Sequence, residues 1–232
     1  MVMDEQAGFV EPGIPMNSVD TVVCTHGIWS HGVGMYLMKR HLEREFGFRA
    51  LIFSYPSVTN TLDENAKLLA QFIADNELAA THVVGHSLGG VVTLRMFAMG
   101  FSHVPGRIVC LGSPLRGSRA ASVLHASDWG EHLLGHSLPE GTVHSSANEW
   151  ATDITRSHEI GIIAGTVPVG MGRIAGDFGE PSDGSVTVEE TRLEGARDHL
   201  VMDVNHTGLT VARSVADQVG SFLRRGEFLR DD

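Results

Sequence analysis

"THVVGHSLGG", residues 81–90, decides how this chain folds. Four residues that suit a buried strand (Thr81 to Val84) run into Gly85, then His86, Ser87, Leu88 and a pair of glycines. An apolar run, "VVTLRMFAMG", follows at once and reads as a helix despite its valines. A serine between glycines, entered by a strand and left by a helix, occupies a tight turn that lifts its hydroxyl over the carboxyl end of a sheet. Gly85 and Gly89 are needed because a Cβ at either place would collide with neighbouring backbone, and Gly90 eases packing of the helix. The N–H of Leu88 then sits at a helix start, where an oxyanion could rest.

The four letters GHSL recur at 135–138, but the second copy lacks the geometry. Pro139 has no N–H and cannot take the part of Gly89, and no β-branched strand precedes Ser137. Ser137 is therefore read as a coincidence of letters, at most a residue beside the pocket entrance.

Outward from the turn, apolar strand-like runs alternate with amphipathic ones. The strand readings are 20–27, 49–56, 80–85, 106–114, a segment within 157–168, and 198–205. Helix readings cover 34–46, 61–75 with Thr61 and Glu64 as a capping box, and 208–226 as one last helix. Such alternation predicts an α/β fold, a mostly parallel doubly wound sheet of about six strands covered on both faces. Residues 1–19 read as an arm, and 20–232 as the single domain. The Ser-, Gly-, His- and Ala-rich stretch 115–156 reads as a short lid or cap insertion, with a family insertion packed beside the sheet as its alternative.

A hydroxyl nucleophile needs a base. Of thirteen histidines, His206 stands just past the last strand, where a ring can swing over the crevice. His199 begins that strand, about 20 Å away at the strand rise of roughly 3.3 Å per residue. Asp183, followed by glycine in the loop after the fifth strand, is the expected acid; Glu180 and Asp177 are alternatives, and Asp203 lies within the last strand. The order Ser87, Asp183, His206 is the one that accompanies this turn. "CTHGIW" after the first strand supplies Gly27 for close approach, Ile28 for a second oxyanion N–H, His26 to order the loop, and Trp29 as a pocket wall or, equally, an exposed lid contact. His86 is a further pocket candidate.

Composition narrows the classes. A formal charge of −11, with Lys39 and Lys67 the only lysines, offers no basic stripe for nucleic acid and no basic patch for coenzyme A. An anionic membrane would repel the chain, whereas a neutral lipid surface would not. No run approaches the roughly 18 apolar residues of a membrane span, and the N-terminus lacks a secretory pattern, so a cytoplasmic location is expected. Cys24 and Cys110 read as buried thiols. His132, His136 and His144 lack the spacing of a metal site, and the glycine-rich stretch near 169–173 lacks the Lys-Ser/Thr of a phosphate loop, so neither metal nor cofactor is expected.

With these residues in hand, the chain resembles the α/β-hydrolase superfamily, especially its small lipase-like and GPI-inositol-deacylase-like esterases. The likeness rests on "VVCTHGIW", "FSYPS", "VVGHSLGG", "VCLGSPLRGS", "SDGSV" and "VNHTGL" and covers nearly all of 20–226. It implies Ser87 as nucleophile, Asp183 as acid, His206 as base, and the N–H groups of Ile28 and Leu88 as oxyanion hole. It also implies a minimal six-stranded core, since residues 1–19 leave no room for the family's first two strands, and it puts Cys24 and Cys110 on non-adjacent strands. The expected activity is that of a serine carboxylester hydrolase acting on short- to medium-chain acyl esters. An acyltransferase or thioesterase with the same triad is the alternative, and a non-catalytic binding protein of the same fold is disfavoured by the filled triad. The expected partner is a small-molecule or lipid ester, in an oligomeric state the sequence leaves open.

Overall fold

A computed structural model describes residues 19–101, 106–125, 137, 147–169 and 179–230, without the side chains of 124 and 125. Six strands form one sheet: β1 (Thr21–Thr25), β2 (Arg49–Phe53), β3 (His82–His86), β4 (Ile108–Leu111), β5 (Ile160–Gly165) and β6 (Asp198–Met202). Their order is β2-β1-β3-β4-β5-β6, and every neighbouring pair is parallel, so the sheet is wholly rather than mostly parallel. The fold is the α/β-hydrolase fold expected from the sequence. The strands are shorter than their apolar runs, because residues such as Gly112 to Pro114 leave the ladder to build loops.

Helices cover both faces, and the period of two along each strand divides the core. Val22, Cys24, Val84, Val109 and Leu111 face α1 (Tyr36–Phe46) and the final helix. Val23, Val83, Ile108 and Cys110 face α2 (Leu62–Asp75) and α3 (Leu88–Ala98). Fully buried residues such as Leu42, Leu69, Leu94 and Phe222 tie the layers together, each contributing roughly 1.5–3 kcal/mol by leaving water. Cys24 and Cys110 lie in opposite layers with β3 between their strands, and both thiols are free and buried. Burial pushes each thiol up to about 12, so neither is a thiolate at neutral pH.

The capping box of α2 is present, with Glu64 N–H donating to Thr61 Oγ1 and Thr61 N–H to Glu64 Oε2. In the stretch 115–156, α4 (Arg119–His125) precedes α5 (Ala147–Ala151) and a 3-10 turn (Thr152–Arg156). Ala147, Ala151 and Ile154 are buried in the layer of α3. The C-terminal helix departs from expectation. It is two helices, α6 (Gly208–Val211) and α7 (Arg213–Arg225), because Ala212 turns extended at ψ 130°. The break lets both Leu209 and the Val215–Val219–Phe222 stripe reach the same core layer.

The sheet order places the crevice. From β1 the chain steps outward to β2, then returns across β1 to β3 and continues the other way. Where the direction reverses, the loops after β1 and β3 part and leave an opening beyond the strand ends. Ser87 follows β3 and His26 to Trp29 follow β1, so both quoted motifs flank that opening.

Candidate active site

Ser87 stands at φ 54°, ψ −123°, a conformation that non-glycine residues rarely adopt and that costs on the order of 1–3 kcal/mol. The surroundings hold it there: Ser87 N–H donates to Leu111 O at 2.8 Å, and Gly90 N–H donates to Ser87 O at 3.1 Å. The glycines are required by crowding. A Cβ on Gly85 would lie 2.5 Å from the Gly90 backbone, and one on Gly89 would lie 2.6 Å from His26 O. Leu88 opens α3, so its N–H has no partner within the helix.

The loop after β1 lies against this turn, since a Cβ on Gly27 would come within 2.9 Å of Ser87 Cβ. His26 organises that loop with both ring nitrogens. Its Nδ1–H donates to Gly27 O at 2.8 Å, while Nε2 accepts from Tyr55 N–H at 3.2 Å. The Tyr55 hydroxyl donates to His26 O at 2.7 Å, and the two rings stack with centroids 4.4 Å apart. Burial holds the His26 ring below its usual pKa, so it stays neutral. The resulting turn, with Ser30 N–H on Gly27 O and Trp29 at φ 53°, carries Ile28 at the cleft wall. Tyr55 was not singled out from the sequence; its signal was an aromatic residue at the carboxyl end of a strand closed by Pro56.

On the far side, His206 donates Nδ1–H to Asp183 Oδ2 at 2.7 Å, and its backbone N–H donates to Asp183 O at 2.9 Å. Asp183 is fully buried, and its other oxygen, Oδ1, accepts from the N–H groups of Ser185 and Val186. The carboxylate is thus fixed on both oxygens, and the imidazole keeps Nε2 as the nitrogen able to exchange a proton. His86 also contacts this group. Its ring lies 4.6 Å from that of His206 and donates Nε2–H to His206 O at 3.0 Å. Burial, and then the neighbouring His206, hold the His86 pKa well below its ordinary value.

Ser87, His206, His86, Gly27, Ile28 and Trp29 all line one cleft of about 360 Å³, closed further by Met35, Pro114, Val169 and Val186. The alternatives to Asp183 lie elsewhere: Glu180 pairs with Arg119, and Asp203 accepts from Thr166 Oγ1 at 2.6 Å. His199 sits at the start of β6 with its ring on Thr191 Oγ1 at 2.9 Å. Asp177, His132, His136, His144 and most of the arm fall outside the described residues. Among the described residues, no group of three His, Cys, Asp or Glu could hold a metal ion.

Ser137 is fully buried away from the cleft lining. Its hydroxyl accepts from Asn65 Nδ2 and donates to Asn60 O, both at 2.7 Å, so Ser137 itself is tied to α2 and to the residue just before its cap. The suggestion of a pocket-entrance residue is therefore corrected: Ser137 faces the protein interior. Gly112, quoted in the sequence only as part of "VCLGSPLRGS" and given no role in the site, touches it directly. At φ 53°, a Cβ there would lie 2.8 Å from Asp183 Oδ2 and 3.2 Å from His206 Nδ1. Its position just past the strand beside β3 was the available clue.

Comparison with curated proteins gives no match. Solved structures of the same fold are similar at low identity. The mature lipase BlEst2 of Bacillus licheniformis matches with a TM-score of 0.67 and 18% identity over 93% of this chain and 94% of that one. The ydeN gene product of B. subtilis matches at 0.59 and 18%, over 89% and 100%. A thermophilic esterase of Thermogutta terrifontis matches at 0.59 and 13%, over 89% and 90%. The model of the alpha/beta hydrolase family matches residues 22–200, which include Ser87 and Asp183 and stop just short of His206. With the fold, the strained turn at Ser87 and that match in agreement, the chain belongs to the alpha/beta hydrolase family.

Proposed function

We propose that the chain is a serine carboxylester hydrolase acting on short- to medium-chain acyl esters through Ser87, His206 and Asp183. One observation carries the reading: a strained serine shares a cleft with a histidine whose Nδ1–H is anchored on a fully buried carboxylate. Holding Ser87 in its costly conformation has a purpose if the hydroxyl must stand clear of the chain for attack.

In the reaction, His206 Nε2 takes the proton of Ser87 as Oγ forms a bond to the ester carbonyl carbon. The carbonyl oxygen becomes an oxyanion and receives the N–H groups of Ile28 and Leu88. Each such donor supplies roughly 3–4 kcal/mol to the transition state. His206 then gives its proton to the departing alcohol oxygen as the C–O bond breaks. Water, deprotonated by His206, attacks the acyl-enzyme and releases the acid. Asp183 stabilises the imidazolium formed in each half. The cleft of about 360 Å³ is at the small end of ligand sites, which favours short and medium acyl groups.

The relatives support the reading by their names, a lipase and an esterase, on the same fold. The test is Ser87→Ala with p-nitrophenyl butyrate, together with labelling by an active-site phosphonate. Loss of both turnover and labelling is expected, and undiminished turnover by the variant would overturn the proposal.

A further inference from the structure

The outer rim of the cleft carries a feature that ester hydrolysis alone does not require. Of the eleven exposed large hydrophobic residues among the described ones, seven lie in segments that leave the carboxyl ends of the strands. Each is, or stands within two positions in sequence of, a residue of the cleft wall. Trp29 and Val169 line it, Val33 precedes the lining Gly34, Tyr36 follows Met35, Val211 follows Thr210, and Val123 is two residues past Ala121. Leu37 stands four residues after Val33, and the two are 54% and 82% exposed. Scattered exposed hydrophobics are ordinary, but seven of eleven gathered in the segments at one end of the sheet are not.

Arginines continue the same face. Arg40 and Arg44 follow Leu37 along α1, and Arg213 begins α7 just after Val211. Together with Tyr36, Leu37 and Val211 they line a groove of about 690 Å³ that shares Thr210 with the catalytic cleft. None of the three arginines has a carboxylate within ion-pair distance among the described residues, whereas most other arginines do. The acids in the groove are Glu45 and Asp217, and Asp217 is taken by His41 at 2.7 Å. Arg40 and Arg44 repel each other at i,i+4, and Arg213 stands at a helix start, where the dipole disfavours a cation. Composition led us to expect no basic patch; the fold assembles one from few residues in a chain of charge −11.

We infer that this face seats the protein on a zwitterionic phospholipid surface, with the apolar rim inserted and Arg40, Arg44 and Arg213 on lipid phosphates. Apolar side chains at the mouth leave water for the acyl region, and arginines one to three turns behind them meet the phosphate layer. A net-neutral surface fits because its phosphates answer the arginines without a negative field to repel the rest of the chain. The inference rests on the proposed activity only for its purpose, since a cleft opening into lipid would receive ester substrates from the membrane.

The test uses the full chain carrying Ser87→Ala, so that binding is read without hydrolysis. Flotation with phosphatidylcholine vesicles is expected, accompanied by a blue shift in fluorescence that Trp29→Phe reduces. Val33→Asp with Leu37→Asp should weaken binding by about ten-fold or more. Circular dichroism and p-nitrophenyl acetate turnover in the Ser87 background should show that this double variant is folded. Replacing Arg40, Arg44 and Arg213 by glutamine should weaken phosphatidylcholine binding by roughly ten-fold or more. The same replacement should leave binding to phosphate-free galactolipid vesicles unchanged. Failure to float, or equal binding by the double variant, would overturn the inference even with hydrolysis intact. A dimer in sedimentation that Val33→Asp with Leu37→Asp dissolves, without flotation, would assign the face to a second copy instead. Flotation with no esterase activity in the unmodified chain would overturn the proposed function and leave this inference standing.

Discussion

The ring of His86 donates Nε2–H to the backbone carbonyl of His206 at 3.0 Å, so the residue before Ser87 holds the loop that carries the proposed base. His206 is thereby fixed at three points: its N–H and Nδ1–H by Asp183, and its carbonyl by His86. His86 stays neutral because burial lowers its pKa, so it does not compete for the proton. His86→Phe removes the donor and is expected to lower kcat by about ten- to hundred-fold through misplacement of His206. His86→Gln, whose amide can donate from a similar position, should recover most of kcat. KM should change little in either variant. Equal losses in the two would show that only ring packing matters.

Gly112→Ala places a methyl 2.8 Å from Asp183 Oδ2 and 2.6 Å from Leu209 Cδ1, at a positive φ that alanine tolerates poorly. We expect kcat to fall by at least about ten-fold and stability by roughly 1–3 kcal/mol. Steady-state kinetics and a urea melt check the two effects separately. An active, undisturbed variant would mean that the backbone shifts freely there, contrary to the crowding described.

The two GHSL serines should respond in opposite ways. Ser137→Ala removes the 2.7 Å acceptor of the buried Asn65 Nδ2 and leaves it only the long bond to Pro56 O at 3.4 Å, which costs about 1–3 kcal/mol. Ester turnover at 25 °C should stay near that of the parent. Ser87→Ala should abolish turnover with little loss of stability, since it removes a residue held by its backbone. Parallel thermal melts and p-nitrophenyl butyrate assays distinguish them.

Acid should unfold the protein in part through His82. This buried ring accepts from Arg107 N–H at Nδ1, and burial followed by the Arg107 charge lowers its pKa to about 3. The unfolded chain binds a proton there below about pH 6.5, and the native state does not until about pH 3. The unfolded state therefore binds more protons throughout that window. Stability is fully present above pH 6.5 and is lost as pH falls toward 3, with a slope approaching about 1.4 kcal/mol per pH unit from this group. Urea unfolding from pH 7 to 4 reads the slope. His82→Asn, which keeps an acceptor near the Nδ1 position, should flatten it; an unchanged slope would assign acid sensitivity to other groups.

Much of the architecture was open to a reader of the sequence because it rests on local rules. Apolar runs closed by glycine or proline announced five of the six strands, and the Thr61–Glu64 pair announced the start of α2. Strand ends were less legible: the strand reading carried β4 on through Gly112, Ser113 and Pro114, but the strand ends at Leu111. The break at Ala212 was likewise hidden, since a continuous amphipathic pattern runs through it and only the need to seat Leu209 against the sheet interrupts the helix.

At the site, the serine turn was legible because its glycines answer to contacts within a few residues of Ser87. Gly85 meets Gly90, and the strand-turn-helix sequence prescribes that meeting. The roles of Gly112, Tyr55 and His86 depend on contacts between loops that only the strand order β2-β1-β3-β4-β5-β6 brings together. The arginine face arises in the same way, from the start of α7 lying beside α1, helices more than 160 positions apart. Local pattern thus settled the fold class and the strained turn, because backbone geometry and burial are written in near neighbours. The packing of distant loops settled which side chains meet at Ser87 and what surrounds its cleft, because those meetings depend on how the sheet is ordered.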